Sequence, residues 1–344
     1  MFEPCFMATG IGSLPHSDER EACRLMLDAF PDAPVWPQLP GRSFLENLYA
    51  QYSEGLAGIR VDHEAQRVSF DTGVGFTEEL ESFYQAVIDR DLERFAMTPG
   101  HAAGLAEFAR EHESELKGRP LVKGQVTGPV SFGLSVTDQD GKAALHDETL
   151  EEVIVKGLGL KAAWQLDVLR KAAPGAKVLI CLDEPYLVSV GSALVSVTRE
   201  QVMSDMLECL GAFDADLTAM HCCGNTDWSI VFDSGVDIVS FDASSGMEGF
   251  IAYHEDIAAH LERGGSIAWG VVPNDERIVS ATADGLAGEI EAAIETLAKR
   301  GIDSGLIARR SMITPCCGLG SATIEISERA LAMTGEVSRI LIGR

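Results

Sequence analysis

His221, Cys222 and Cys223 follow one another in the stretch TAMHCCGNTDW, Thr218 to Trp228. Imidazole nitrogen and cysteine sulfur are, with carboxylate oxygen, the common ligands of zinc. The residues leading into the cluster read as a β-strand, and alternate residues of a strand point to the same side. His221 and Cys223 therefore share a face, and Cys222 takes the opposite one. Cys223 is the candidate ligand and Cys222 the candidate core residue. One HxC pair is not a metal site, so partners must come from elsewhere in the chain. A second adjacent pair, Cys316-Cys317 in SMITPCCG, closes the last apolar run, and either cysteine is available. Asp242 closes the intervening run DIVSFDAS and is a candidate fourth ligand. The ligands do not sit in the paired CxxC knuckles of a structural zinc ribbon.

Zinc bound by two thiolates is electron-rich, a modest Lewis acid that is poorly suited to making hydroxide. It is well suited to holding a substrate thiol. A free thiol has a pKa of about 8.5 and is mostly protonated near neutrality. Coordination removes that proton and leaves the sulfur nucleophilic. The chemistry this cluster fits is alkyl transfer to sulfur.

Eight short apolar runs must position these residues. They are FMATGIGS, APVWPQLP, LVKGQVTG, KVLICLDEP, DLTAMHCC, DIVSFDAS, SIAWGVVP and SMITPCCG. Amphipathic stretches such as DGLAGEIEAAIETLAKRG lie between them. Strands alternating with helices imply a parallel sheet, and eight such units imply a (β/α)8 TIM barrel. No GxGxxG follows the first run, which argues against an open dinucleotide-binding sheet. The stretch GIRVDHEAQRVSFDTG, residues 58–73, breaks the rhythm and reads as a β-hairpin inserted after the second strand, with HEAQ at its turn. No linker or repeat is apparent, so one domain over residues 1–344 is expected. Barrel chemistry gathers at the C-terminal ends of strands. Here those ends carry Gly12-Ser13, Gln38, Thr127, Asp183-Glu184, His221–Cys223, Asp242, Asn274 and Cys316-Cys317.

Taken together and in order, GIGSLP, VTGP, CLDEP, HCCGN and TPCCGLG resemble the cobalamin-independent methionine synthase family, in its zinc-bearing C-terminal barrel. The resemblance runs from about Ile11 to Gly320, and the wider superfamily includes uroporphyrinogen decarboxylase and the methylcobamide:coenzyme M methyltransferases. It implies a zinc-dependent methyltransferase acting on a small thiol, most readily homocysteine, to give methionine. His221 and Cys223 match the HxC zinc ligands. Cys317 matches the late cysteine of a P-x-C-G-L pattern, which chooses between the second pair. Asp242 stands where the family has a glutamate ligand, one methylene longer. Gly12 and Ser13 match the segment that holds the carboxylate of the amino acid. Asp183 matches the group that takes its ammonium, with Glu184 beside it as a further substrate-binding residue. Zn2+ is the implied cofactor. The duplicated half of the long enzymes is not represented, and GRSFLENLYAQYSEG has no match to their folate segment, although Glu46 within it is a candidate to lie near the acceptor. A methyl-corrinoid, free or on a partner protein, is the expected donor, with a methyl-folate as the alternative. Coenzyme M is the alternative acceptor, but its sulfonate would not be held by Asp183. A decarboxylase of the uroporphyrinogen type would leave the thiol ligands without a purpose, and a non-catalytic zinc-holding barrel would be separated from an enzyme by turnover.

Composition narrows the partners further. There are 27 basic and 53 acidic side chains, a formal net charge of −26. Neither a nucleic acid nor an anionic membrane surface is an expected partner. The first residues, MFEPCFMATGIGSLPH, do not form a signal peptide, and no apolar run spans a membrane, so a cytoplasmic setting is expected. Cysteines stay reduced there. Cys5, Cys23, Cys181 and Cys209 are accordingly expected as ordinary buried residues.

Overall fold

In the computed structural model, which describes residues 2–192 and 195–344, seven strands form one parallel sheet. They are β1 (Met7–Ala8), β4 (Leu121–Thr127), β5 (Lys177–Asp183), β6 (Leu217–Cys222), β7 (Ile238–Phe241), β8 (Ser266–Val272) and β9 (Ser311–Pro315). Their order is β1-β9-β8-β7-β6-β5-β4, so β4 to β9 run in sequence order, β1 pairs with β9, and β1 and β4 are the two edges of the sheet. The run APVWPQLP forms no named strand, but it touches both edges of the sheet. Val35 bridges to Lys123 of β4, and Gln38 bridges to Ser13 beyond β1. Pro37 and Pro40 lack the amide hydrogens that a regular ladder needs.

Strand parity decides which side chains meet inside. On β5, Val178, Ile180 and Leu182 join the main core beneath the helices, while Leu179 and Cys181 belong to a second, smaller core with Leu121, Leu217, Ala219, Ile238, Ala268 and Met312. Continuing that inner face toward the strand ends brings Lys123, Gln125 and Thr127 of β4, Asp183 of β5, His221 of β6 and Ser240 of β7 above the apolar floor. The register places Thr127 opposite Asp183, Asp183 opposite His221, and His221 opposite Ser240. An apolar floor with a polar upper layer is how barrel-like sheets present chemistry at one end.

Helices seal the outer face. The longest, Glu148–Ala172, is capped by Asp147, whose side chain accepts from the amides of Thr149 and Leu150. Such caps satisfy amides that a helix start leaves unpaired. The expected hairpin is present as β2 (Ile59–Asp62) and β3 (Arg67–Phe70), antiparallel, with His63 to Gln66 at the turn. It is fastened by Phe70 N–H donating to Thr137 O and by an Arg60–Glu79 ion pair. Cys23, Cys181 and Cys209 are buried as expected, whereas Cys5 is exposed because it lies in a turn before β1 with φ of 47°. Among the described residues no helix is long and apolar enough to cross a membrane.

Candidate active site

His221, Cys223 and Cys317 converge, with one ligand atom from each within 4.8 Å of the others. β6 delivers His221 on its inner face, the bend directly after β6 delivers Cys223, and the turn after β9 delivers Cys317. Cys222 points into the main core, and burial pushes its thiol up to about 12. Cys316 is buried too, and its thiol is pushed up to about 11 by burial and then by Asp242. Both adjacent pairs thus hold one inert and one available cysteine.

The three donors have the make-up of a metal-ligand set. Cys317 beside it, and then His221, hold the Cys223 thiol far below its usual range, while Cys317 is pushed up by the same pairing. Two neighbouring thiols that cannot both be charged are thereby pushed in opposite directions. His221 is buried, and its Nδ1 lies 2.9 Å from Ser240 Oγ. With Nδ1–H donating to Ser240, Nε2 carries the free lone pair. That nitrogen is buried and has no hydrogen-bond partner among the described residues. An orphaned buried imidazole nitrogen beside two sulfurs fits zinc. Ser240 was not singled out in the sequence, and the only signal for it was its place opposite the histidine in register. Ser240→Ala is expected to weaken zinc binding by about 10–100-fold, the usual cost of losing a group that orients a metal-bound histidine. A competition titration against a chromogenic chelator would read it, and unchanged affinity would remove Ser240 from the site.

Asp242 does not join the three donors. It terminates β7 and caps the helix Ala243–Ile251, accepting from Ser245 N–H and from the hydroxyls of Ser244 and Ser245. Its charge is felt by Cys316 and Arg277. The expected fourth ligand is therefore a helix cap in this structure, its oxygens engaged by serines that follow it directly in the chain.

A cavity of about 570 Å³ opens over the cluster, lined by Ser13, Glu46, Asp183, His221, Cys223 and Cys317 among others. Asp183 is buried, which raises its carboxyl, while Lys123 and His221 pull it back toward ionisation. Lys123 Nζ donates to Ile11 O at 2.6 Å, so it acts on Asp183 through space. Ser13 Oγ accepts from Gly320 N–H at 3.2 Å, tying the first loop to the last. Gly12 has φ of 149°, and a Cβ there would stand 2.7 Å from Gln38 Oε1 and 2.8 Å from Gln125. Only glycine lets this backbone approach the cavity floor.

Glu184, expected at the substrate, is turned away. Its carboxylate accepts from Val130 N–H, Ser131 N–H and Ser131 Oγ–H at 3.0, 2.8 and 2.6 Å, fully buried at the start of the helix Pro129–Ser135. Burial raises its carboxyl to about 7 against those hydrogen bonds. A Cβ on Gly128 would lie 2.1 Å from Glu184 Oε1, so this brace also requires glycine at that position. Within CLDEP, Asp183 faces inward and Glu184 outward, as strand parity demands.

Glu46, rather than Glu184, lines the cavity. It is buried, its Oε1 accepts from Arg42 at 2.6 Å, and its Oε2 has no partner among the described residues. Burial raises its carboxyl, opposed by Arg42. Asn47 and Leu48 line the same wall, so the segment without a recognisable match supplies one side of the cavity. None of the hairpin residues 59–70 lies in that lining.

No protein-family model and no curated protein matches the chain. Solved structures do. A B12-independent methionine synthase from a Shewanella species, solved in complex with selenomethionine, superposes with a TM-score of 0.58 at 14% identity, covering 97% of each chain. A putative vitamin-B12-independent methionine synthase from Listeria monocytogenes gives 0.56 at 14%, covering 99% of this chain and 98% of that one. The chain shares the fold of these proteins. A methyltransferase from Methanosarcina mazei gives 0.54 at 15%, covering 93% and 86%. At such identity the likeness speaks for the fold, and the chemistry rests on the site.

Proposed function

We propose that the protein is a zinc-dependent methyltransferase on a (β/α)8 barrel that methylates the thiol of homocysteine to give methionine. The observation that carries this reading is that a His-Cys-Cys cluster and two buried carboxylates, Asp183 and Glu46, line one cavity. His221, Cys223 and Cys317 would hold zinc, which would supply a Lewis acid able to keep an acceptor sulfur as thiolate near neutral pH.

The remaining work falls to the chain itself. Asp183 and the unpartnered Oε2 of Glu46, whose Oε1 is held by Arg42, suit an ammonium group. Ser13 and the backbone around Gly12 suit a carboxylate. Ile11, Pro40, Leu48 and Pro185 give the cavity apolar walls that limit water around the nucleophile. Fixing both ends of the amino acid aims its sulfur, and such alignment is a large source of rate. In the transfer, the carbon–sulfur bond forms as the methyl–donor bond breaks, and the thiol proton has already left. The bound selenomethionine of the Shewanella protein, a close analogue of methionine, agrees with an amino-acid thioether as product.

Coenzyme M fits less well, because two carboxylates would face its sulfonate. A decarboxylase that grips propionates needs cations, and the residues lining this cavity include no arginine or lysine. A protein that only stores zinc would have no use for a cavity of this size beside the metal. For the donor we favour a methyl-corrinoid, since residues 41–55 build an acceptor wall with no recognisable folate segment. The net charge of −26 also opposes a polyglutamate tail, though screening confines that effect to about 8–10 Å.

The test is methionine formation from homocysteine with methylcobalamin and with methyltetrahydrofolate at matched concentration, beside coenzyme M as acceptor. Homocysteine-dependent methionine, faster from methylcobalamin, is the expected result. Faster transfer from methyltetrahydrofolate would refute the corrinoid donor. Preferential methylation of coenzyme M would refute the acceptor.

A further inference from the structure

His16, Glu21 and Glu328 come together outside the cavity, and nothing in methyl transfer uses them. His16 lies in the loop between Ser13 and the helix that starts at Glu19. Glu21 lies in the first turn of the helix Glu19–Ala29, and Glu328 lies on the final helix, Ile324–Gly343. One ligand atom from each is within 4.8 Å of the other two. His16 is only 1% exposed, yet neither ring nitrogen has a hydrogen-bond partner among the described residues. Its Nε2 stands 3.5 Å from Glu328 Oε1, beyond a good hydrogen bond. Glu21 and Glu328 are exposed and like-charged, in a chain already carrying −26. A buried imidazole without a partner and two carboxylates drawn together both have the same remedy, a cation between them.

The geometry points to a second metal site, in which His16, Glu21 and Glu328 bind a divalent ion through one imidazole nitrogen and two carboxylate oxygens. The donor set lacks sulfur, so it favours ions that accept nitrogen and oxygen, such as Mn2+ or Zn2+, and differs in kind from the thiolate cluster. Exposure of the two glutamates leaves room for water to complete the coordination. The ion would act as a staple between the two ends of the chain. Ser13, three residues before His16, contacts Gly320, four residues before the final helix begins. Both segments of the cavity wall that meet at Ser13 and Gly320 thus run directly into the ligands. An ion there holds that wall closed whether or not the thiolate cluster is loaded, so this inference stands apart from the proposed reaction.

Full-length protein titrated separately with Mn2+, followed by the electron paramagnetic signal of the free ion, and with Zn2+, followed by calorimetry, tests the site. The expected result is one bound Mn2+ per chain, and a second zinc equivalent beyond the cysteine-held one. Glu328→Gln and Glu21→Gln, both surface changes that spare the fold, should weaken each by tenfold or more, and His16→Ala should abolish both. Cys223→Ser should leave the Mn2+ site intact. A parent protein that binds neither Mn2+ nor a second zinc would overturn the proposal and leave a plain His16–Glu328 ion pair. Equal affinity in Glu328→Gln, Glu21→Gln and parent would overturn it as well.

Discussion

Cys223→Ser and Cys317→Ser are each expected to leave the protein without stoichiometric zinc and without methyl transfer. Serine keeps the size of the side chain and removes the soft, ionisable sulfur. The loss in affinity should exceed the roughly 10–100-fold that accompanies loss of an outer partner, because a direct ligand is gone. Cys317→Ser also removes the neighbour that lowers the Cys223 thiol most. Cys222→Ser and Cys316→Ser are the internal controls. Each sits one residue from a ligand, is buried, and has its thiol pushed up. Both should retain zinc, and Cys222→Ser should lose some stability from a hydroxyl placed in the apolar core. Metal analysis of the four variants reads the outcome, and full zinc in both Cys223→Ser and Cys317→Ser would remove the cluster as a metal site.

Asp183→Asn should bind homocysteine about tenfold more weakly or worse, with zinc in place. A hydrogen bond between a buried carboxylate and an ammonium contributes roughly 1.5–3 kcal/mol, and 1.4 kcal/mol is a factor of ten. Asparagine keeps the shape and removes the charge, so the loss reports the charge. Glu46→Gln should show a loss in the same direction, because its Oε2 is the unpartnered atom on the facing segment. The pair shares one ligand group, so the double variant should lose less than the sum of the two. Calorimetric titration with homocysteine separates the cases. Unchanged affinity in both single variants would mean that the acceptor is not an amino acid held by its ammonium.

The parity of β6 made His221 legible from sequence, and the alternation carries one residue past the strand end at Cys222, far enough to bring Cys223 to the same side. The same reasoning did not choose between Cys316 and Cys317. β9 ends at Pro315, and beyond it a turn, rather than a pleat, decides which sulfur points inward. Asp242 and Glu184 share another difficulty. A carboxylate at a strand end can serve a ligand or cap a helix start, its own or a neighbouring strand's, and the uses look alike in sequence. Here the serines at 244 and 245 claim Asp242, and the amides of Val130 and Ser131 claim Glu184. Glu46 lay in an irregular stretch with no period, so only the folded chain brings its carboxylate to the cavity. Six of the eight runs became strands of four residues or more. FMATGIGS kept a two-residue strand, and APVWPQLP, interrupted by prolines, kept only isolated bridges.

The measurement that bears most directly on the central claim is zinc X-ray absorption on the purified protein with and without homocysteine. Cys223 and Cys317 predict two sulfur neighbours and one imidazole before addition, and a third sulfur at the same distance, about 2.3 Å, after it. A sulfur count that stays at two in saturating homocysteine would contradict an acceptor thiol activated at this metal.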